Sequence, residues 1–293
     1  MSGFAHAGQP VGLHRREGKK KKKAVNLNPS FLPYLETAEM KAHLSLVFWI
    51  LLLMHFPAGA QMPDYQRWAA DWLYNARTGA PTDSLRSLLA NAHETALRQA
   101  LPNDAARKTF WINIYNAATQ TELKAHPERY QNRNKFFKSK LVTIAGKPLS
   151  LDDIEHGILR RSKSKWSLGY FNKLFKSDFE KAFRVDTLDY RIHFALNCGA
   201  RSCPPIAYYT VGEIDAQLES ATKGHLRAET DYDSVHNTAA VTAFMGWFRG
   251  DFGGKEGIRK LLRKTGVIPE SASPKIRFKK YDWNLYLANF KED

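Results

Sequence analysis

Cysteine is nearly absent: the 293 residues contain two, Cys198 and Cys203. That leaves one disulfide at most, and with no CxxC and no HExxH there is no local metal motif. His225 and His236 stand too far apart to read as a ligand pair, so no metal is expected. Walker A and GxGxxG sequences are missing as well, which leaves nucleotide binding without a motif, and no cofactor is implied. Acids are scarce beside bases, 29 against 44, for a net charge of +15. A membrane-length apolar run is also lacking. The longest, LSLVFWILLLM at 44–54, falls short of the roughly 20 residues a spanning helix needs.

That short run has the form of an export signal. Met40-Lys41 precedes it, and Pro57 and the small residues Ala58-Gly59-Ala60 follow it, as in a secretory signal with an A-x-A-like cleavage site. The reading adopted is an exported protein, periplasmic or extracellular: residues 1–39 lie outside the mature chain, 40–60 are the signal peptide, and 61–293 form one globular domain. The other reading is a signal anchor with a basic tail. Residues 1–60 hold eight of the bases and three of the acids, so 61–293 carry 36 and 26, a net +10. With KKKKK at 19–23 outside the mature chain, specific nucleic-acid binding is not expected. Membrane contact is assigned to the signal segment alone. The basic stretch RRSKSKW at 160–166 reads as a solvated loop.

With 43% hydrophobic residues the chain can bury a sizeable core. Helical spacing predicts helices over 64–79 with Gly79 as C-cap, 83–100 with Asp83 as N-cap, 104–124 and 212–227. LVTIAGKPLSL at 141–151 reads as a hairpin, followed by a helix over 151–161 with Ser150 and Asp153 in a capping box. YRIHFALN at 190–197 reads as a strand. Short strands around 231–242 and 275–280 flank helical pieces near 243–250 and 256–264. Without a regular βαβ beat, this is an α+β fold: a helix-rich single domain with a small mixed or antiparallel sheet.

Three stretches carry residues with useful chemistry. In FWINIYNAATQ at 110–120, Phe110, Trp111, Ile114 and Ala118 share one helix face, while Thr109, Asn113, Asn116 and Gln120 share the other. That amide stripe is either a solvated face or the lining of a cleft. In SLDDIEHGILRR at 150–161, Leu151, Ile154, Ile158 and Leu159 face the core. Glu155 falls near that face, where it needs a partner. His156 at the flank is a candidate general base or an exposed helix histidine. In HFALNCGARSCPPI at 193–206, strand parity turns His193 away from Cys198. Gly199 permits a sharp turn whose amides suit an oxyanion, and Arg201 is placed to lower the thiol pKa. Cys198 then reads as a nucleophile, as a buried thiol, or as half of a disulfide with Cys203. GWFRGDFGG at 246–254 reads as packing and a loop.

FWINIYNA, SLDDIEHGILR, RIHFALNCGARSCPPI, WFRGDFGG and YDWNLY stand here in the order seen in the domain of unknown function 547 family, which the chain resembles over roughly residues 100–286. The resemblance brings no activity with it. Its pattern matches Asn113, Asn116, Glu155, His156 and Cys198. Cys203 is less characteristic, which favours Cys198 as the residue of interest over a disulfide. The set of Cys, His, Glu and Asn is similar to the thiol-hydrolase constellation of papain-like proteins. The expectation is an exported cysteine-dependent hydrolase or acyltransferase acting on an amide or ester of a small-molecule or peptide ligand. Cys198 is its nucleophile and His156 its base, Glu155 or Asn116 orients the imidazole, and Asn113, Arg201 and Gly199 contact substrate. The alternative is a non-enzymatic envelope binding or scaffold module in which the same residues are structural.

Overall fold

Local chemistry at the helix ends sets the first half of the fold. The structure, a computed structural model, describes residues 64–292; the expected signal segment and upstream tail lie outside these. α1 (Tyr65–Thr78) starts at Asp64, whose side chain accepts from the Arg67 amide, and stops at Gly79 in the left-handed region at φ 80°. α2 (Asp83–Ala90) and α3 (Glu94–Ala100) occupy the span expected to be one helix, with Thr82 rather than Asp83 at the N-cap. The break has a cause. The carbonyls of Leu89 and Ala90 accept from Ala145 and Gly146, at 2.9 and 2.7 Å, so they are diverted from the helical ladder that would run through residues 91–94.

Ala145 and Gly146 form the turn of the expected hairpin, β1 (Lys140–Ile144) with β2 (Lys147–Ser150) antiparallel. Both have positive φ, 48° and 73°, as a tight hairpin turn demands. Beyond β2 the capping box is present: the Ser150 amide donates to Asp153 Oδ2 at 2.8 Å and the Asp153 amide to Ser150 Oγ at 3.1 Å. The helix it starts widens into a π-helix over Asp153–Leu159. The Arg160 amide reaches back five residues to the Glu155 carbonyl and Ser162 to Gly157, both at 2.8 Å.

α4 (Asp104–Ala125) is the central helix, capped by Asn103. It is buried on both sides, so the amide stripe is neither a solvated face nor a cleft lining. Asn113, Asn116, Thr119 and Gln120 are as inaccessible as Phe110 and Trp111. After α5 (Arg133–Lys138) and α6 (Asp178–Phe183), residues Tyr190–Phe194 form a 3₁₀ turn instead of a strand. The Asp189 side chain caps it by accepting from the Arg191 amide. Ile192, His193, Phe194 and Ala195 are all buried, so the two-residue alternation has no outward face to satisfy.

α7 (Ile214–Glu229) leads to β3 (Asp231–Asp233) and β4 (Thr238–Val241). α8 (Phe244–Trp247), α9 (Gly254–Lys264) and β5 (Lys275–Phe278) complete the chain order. β4 pairs antiparallel with β3 and parallel with β5, Thr238 opposite Lys275 and Val241 opposite Phe278. The architecture is α+β and helix-rich, with one two-stranded and one three-stranded sheet among the described residues. Two apolar clusters form the core. The larger is built on α1, α4 and the π-helix. The smaller gathers Phe194, Val241, Phe244, Ile258 and Ile276. Among the described residues no helix is long and apolar enough to cross a membrane.

Candidate active site

Where the clusters meet, side chains from both enclose a cavity of about 350 Å³. Cys198, Glu155 and His156 line it together, with Asp152, His193 and Tyr115, against walls that include Phe248, Trp247, Tyr281 and Trp283. Folding thus unites three of the residues singled out in the sequence. The π-helix and its N-cap residue present Asp152, Glu155 and His156 to the cavity while Ile154, Ile158 and Leu159 hold the core. Wide helical turns of this kind are concentrated at functional sites.

Cys198 is half-buried and Cys203 buried, both free thiols with sulfurs 2.8 Å apart. The Cys198 amide donates to Cys203 Sγ at 3.1 Å, and the Tyr281 hydroxyl lies 3.2 Å from Cys203 Sγ and 3.6 Å from Cys198 Sγ. The Cys203 thiol, and after it the Tyr281 hydroxyl, outweigh burial and bring Cys198 down to about 7. Burial and the neighbouring Cys198 push Cys203 well above the ordinary thiol range. One sulfur is therefore poised as a thiolate and the other as its hydrogen-bond donor. Arg201, expected to supply this effect, does not: it is exposed, 3.8 Å from Asp282 and over the Tyr286 ring.

His156 does not meet Cys198. Among the described residues its Nδ1 takes a hydrogen bond from Arg160 Nη1 at 2.9 Å. A guanidinium can only donate, so the imidazole proton sits on Nε2, which faces Asp152 Oδ1 at 3.6 Å. Burial first, and then the Arg160 charge, hold His156 well below the usual imidazole range. With one nitrogen engaged and the other protonated, it is a poor base for the thiol.

Arg160 is fully buried and organises the polar side of the cavity. Nε and Nη2 donate to Asp251 Oδ2 and Oδ1 at 2.6 and 3.1 Å, and the guanidinium lies 4.3 Å from the centroid of Phe248. Asp251 Oδ2 also accepts from His193 Nε2 at 2.9 Å, and His193 stacks on Phe248 at 4.3 Å between ring centres. Burial, partly countered by Asp251, lowers the His193 pKa, so this ring is neutral with its lone pair on Nδ1. Strand parity had turned His193 away, but the 3₁₀ turn brings it to the same cavity as Cys198. Glu155 accepts from the Tyr115 hydroxyl at 3.3 Å and stands 3.6 Å from His156 Nδ1. Burial raises its carboxyl to about 7, with Arg160 partly opposing.

The remaining sequence candidates lie behind the cavity. Asn116 holds the chain entering Cys198: its Nδ2 donates to the Ala195 carbonyl and its Oδ1 accepts from the Asn197 amide, both at 2.9 Å. Asn113 clamps both backbone groups of Tyr209 at 2.9 and 3.2 Å. Neither orients an imidazole or reaches the cavity. Gly199 adopts φ 89°, and its amide is spent on Asn197 Oδ1 at 2.9 Å, not free for an oxyanion. Tyr281, Arg160, Asp251 and Cys203 were missed as site residues. The motif blocks GWFRGDFGG and YDWNLY contained two of them, and a paired acid inside an aromatic block was the available signal.

Fold and site define a helix-rich α+β protein that holds a thiol of lowered pKa against an aromatic cavity. Residues 99–226 match the family described as protein of unknown function, DUF547. No curated protein and no solved structure matches the chain.

Proposed function

We propose that the protein is a cysteine-dependent hydrolase or acyltransferase acting on an amide or ester, with Cys198 as nucleophile. The observation that carries this is the Cys198 thiol on the cavity wall, brought to about 7 by the Cys203 thiol and the Tyr281 hydroxyl. A thiolate already present at neutral pH needs no adjacent histidine to take its proton. In the first step Cys198 sulfur bonds to the carbonyl carbon and the bond to the amine or alcohol breaks. Glu155, part protonated at neutral pH, gives its proton to the leaving group. In the second step water or an acceptor alcohol or amine attacks the thioester, returns a proton to Glu155, and releases Cys198. Aromatic walls suit an apolar acyl group.

Alkylation with iodoacetamide followed by peptide mapping tests the reading. Cys198 in the native protein reacts with a pH midpoint near 7, and Cys203→Ala moves that midpoint toward the ordinary thiol value. A native midpoint near 9, the unperturbed value, would overturn it. So would p-nitrophenyl ester turnover that Cys198→Ala leaves unchanged. A second reading has an observation of its own. Asn113 and Asn116 serve only the backbone, which favours a binding module, and ligand binding retained in Cys198→Ser without any acyl-enzyme is its signature.

A further inference from the structure

Residues 161–176, RSKSKWSLGYFNKLFK, contain five Lys/Arg and no acid. They also hold half of the protein's exposed large apolar side chains among the described residues. Trp166 is 77%, Phe171 73%, Leu174 89% and Phe175 91% exposed, and Leu168 and Tyr170 are exposed beside them. Scattered exposed apolar residues are ordinary, but six within ten residues are not.

The segment is a built structure. Lys163 and Asn172 bridge antiparallel, the Ser164 amide donates to the Phe171 carbonyl at 2.9 Å and Lys173 to Ser162 at 2.8 Å. Its tip is tied down where the Gly250 amide donates to the Leu168 carbonyl at 2.7 Å. At Gly169, φ 88°, a side chain would collide with Asp251. The aromatic side chains are therefore displayed to solvent from a braced loop. Lys165 is paired with Asp152 and Lys173 with Glu180. Arg161, Lys163 and Lys176 make no ion pair among the described residues.

We infer that this loop docks the folded domain onto an anionic phospholipid surface. Phe171, Leu174 and Phe175 enter the interface while Arg161, Lys163 and Lys176 meet the headgroup phosphates. Exposed aromatic and leucine side chains ringed by cations, with no acid to oppose them, match the two halves of such a surface. The free cations disfavour a second copy of the same patch, which would set like charges against each other. Lys165, Trp166 and Leu168 also belong to the cavity wall, so docking carries the Cys198 cavity to the lipid. The inference does not depend on Cys198 being a nucleophile.

Hydrogen exchange of the full chain, with and without vesicles of phosphatidylcholine mixed with phosphatidylglycerol, tests this. It reads residues 163–176 directly, apart from the apolar stretch 44–54. Among the described residues the amides of Leu174 and Phe175 make no hydrogen bond, so they are expected to exchange quickly in solution and to slow on the vesicles. The double variant Leu174→Asp, Phe175→Asp is expected to lose that protection at unchanged melting temperature, its partitioning at least about tenfold weaker. Phosphatidylcholine alone is expected to protect far less. Protection that is missing in the natural chain, kept in the double variant, equal on neutral vesicles, or produced by raising protein concentration without lipid would each overturn the inference.

Discussion

Glu155 is a carboxyl that folding removes from water, and its raised pKa has a measurable cost. The folded protein binds this proton more tightly than the unfolded chain. The group's contribution to stability is therefore fully present below pH 4.5, its ordinary value, and is lost as pH rises through about 7. Glu155→Gln has no such loss. Relative to the natural protein, the variant is expected to gain stability between pH 4 and pH 8 by roughly 3 kcal/mol, read by urea unfolding at each pH. Acyl transfer is expected to fall with it, because the leaving group loses its proton donor. A gain that does not change with pH would show that this carboxyl ionises normally in the fold. At the same scale, Cys203 entered the sequence reading only as a disulfide partner, because spacing does not show that it meets Cys198 as a hydrogen-bonding free thiol.

At the scale of elements, α4 reaches the cavity through Tyr115 and supports it from behind through Asn116. Its Asn116 replaces the ladder partners that the irregular segment 195–197 does not have. Asn116→Ala leaves the Ala195 carbonyl and the Asn197 amide buried and unpaired, which is expected to cost about 2–4 kcal/mol in chemical denaturation. The Cys198 alkylation midpoint is expected to rise as the turn loosens; a loss under about 0.5 kcal/mol would show that the clamp is redundant. Elements whose limits are chemical were readable in advance: the Gly79 C-cap, the Ser150–Asp153 capping box and the hairpin at 140–150. The break between α2 and α3 was not, because it is imposed by amides of a turn more than fifty residues away. Nor was the 3₁₀ turn at 190–194, where alternating Ile192, Phe194 and Leu196 imitate a strand.

Across the whole molecule, the cysteine loop is held from the far end of the chain. Arg201, Ile206, Tyr286 and Lys291 amides donate to Asn284, Asn289, Gly199 and Ile206 carbonyls, and Asn289 Nδ2 to the Cys203 carbonyl at 2.7 Å. Tyr281, which helps set the Cys198 pKa, lies in the same terminal stretch. A chain ending at Lys280 is expected to melt at a lower temperature and to expose Cys203, closed in the intact protein, to iodoacetamide under native conditions. Continued protection of Cys203 would mean that the loop stands without its terminal partner. The family match at 99–226 includes Glu155, His156, His193 and Cys198 but stops short of Asp251 and Tyr281, so the segment alone lacks the aromatic wall of Phe244, Trp247, Phe248, Tyr281 and Trp283.

By itself the sequence determined what is local: where helices cap, where the hairpin turns, and which side chains have reactive chemistry. Those outcomes follow from backbone hydrogen bonding and periodicity over a few residues. Only the tertiary structure decided which polar groups face each other, because burial and pairing depend on elements brought together from 40 to more than 90 residues apart. That is why Asp251, 91 residues on, holds the Arg160 that takes His156 out of service as a base, and why Tyr281, 83 residues on, joins Cys203 in setting the charge on Cys198.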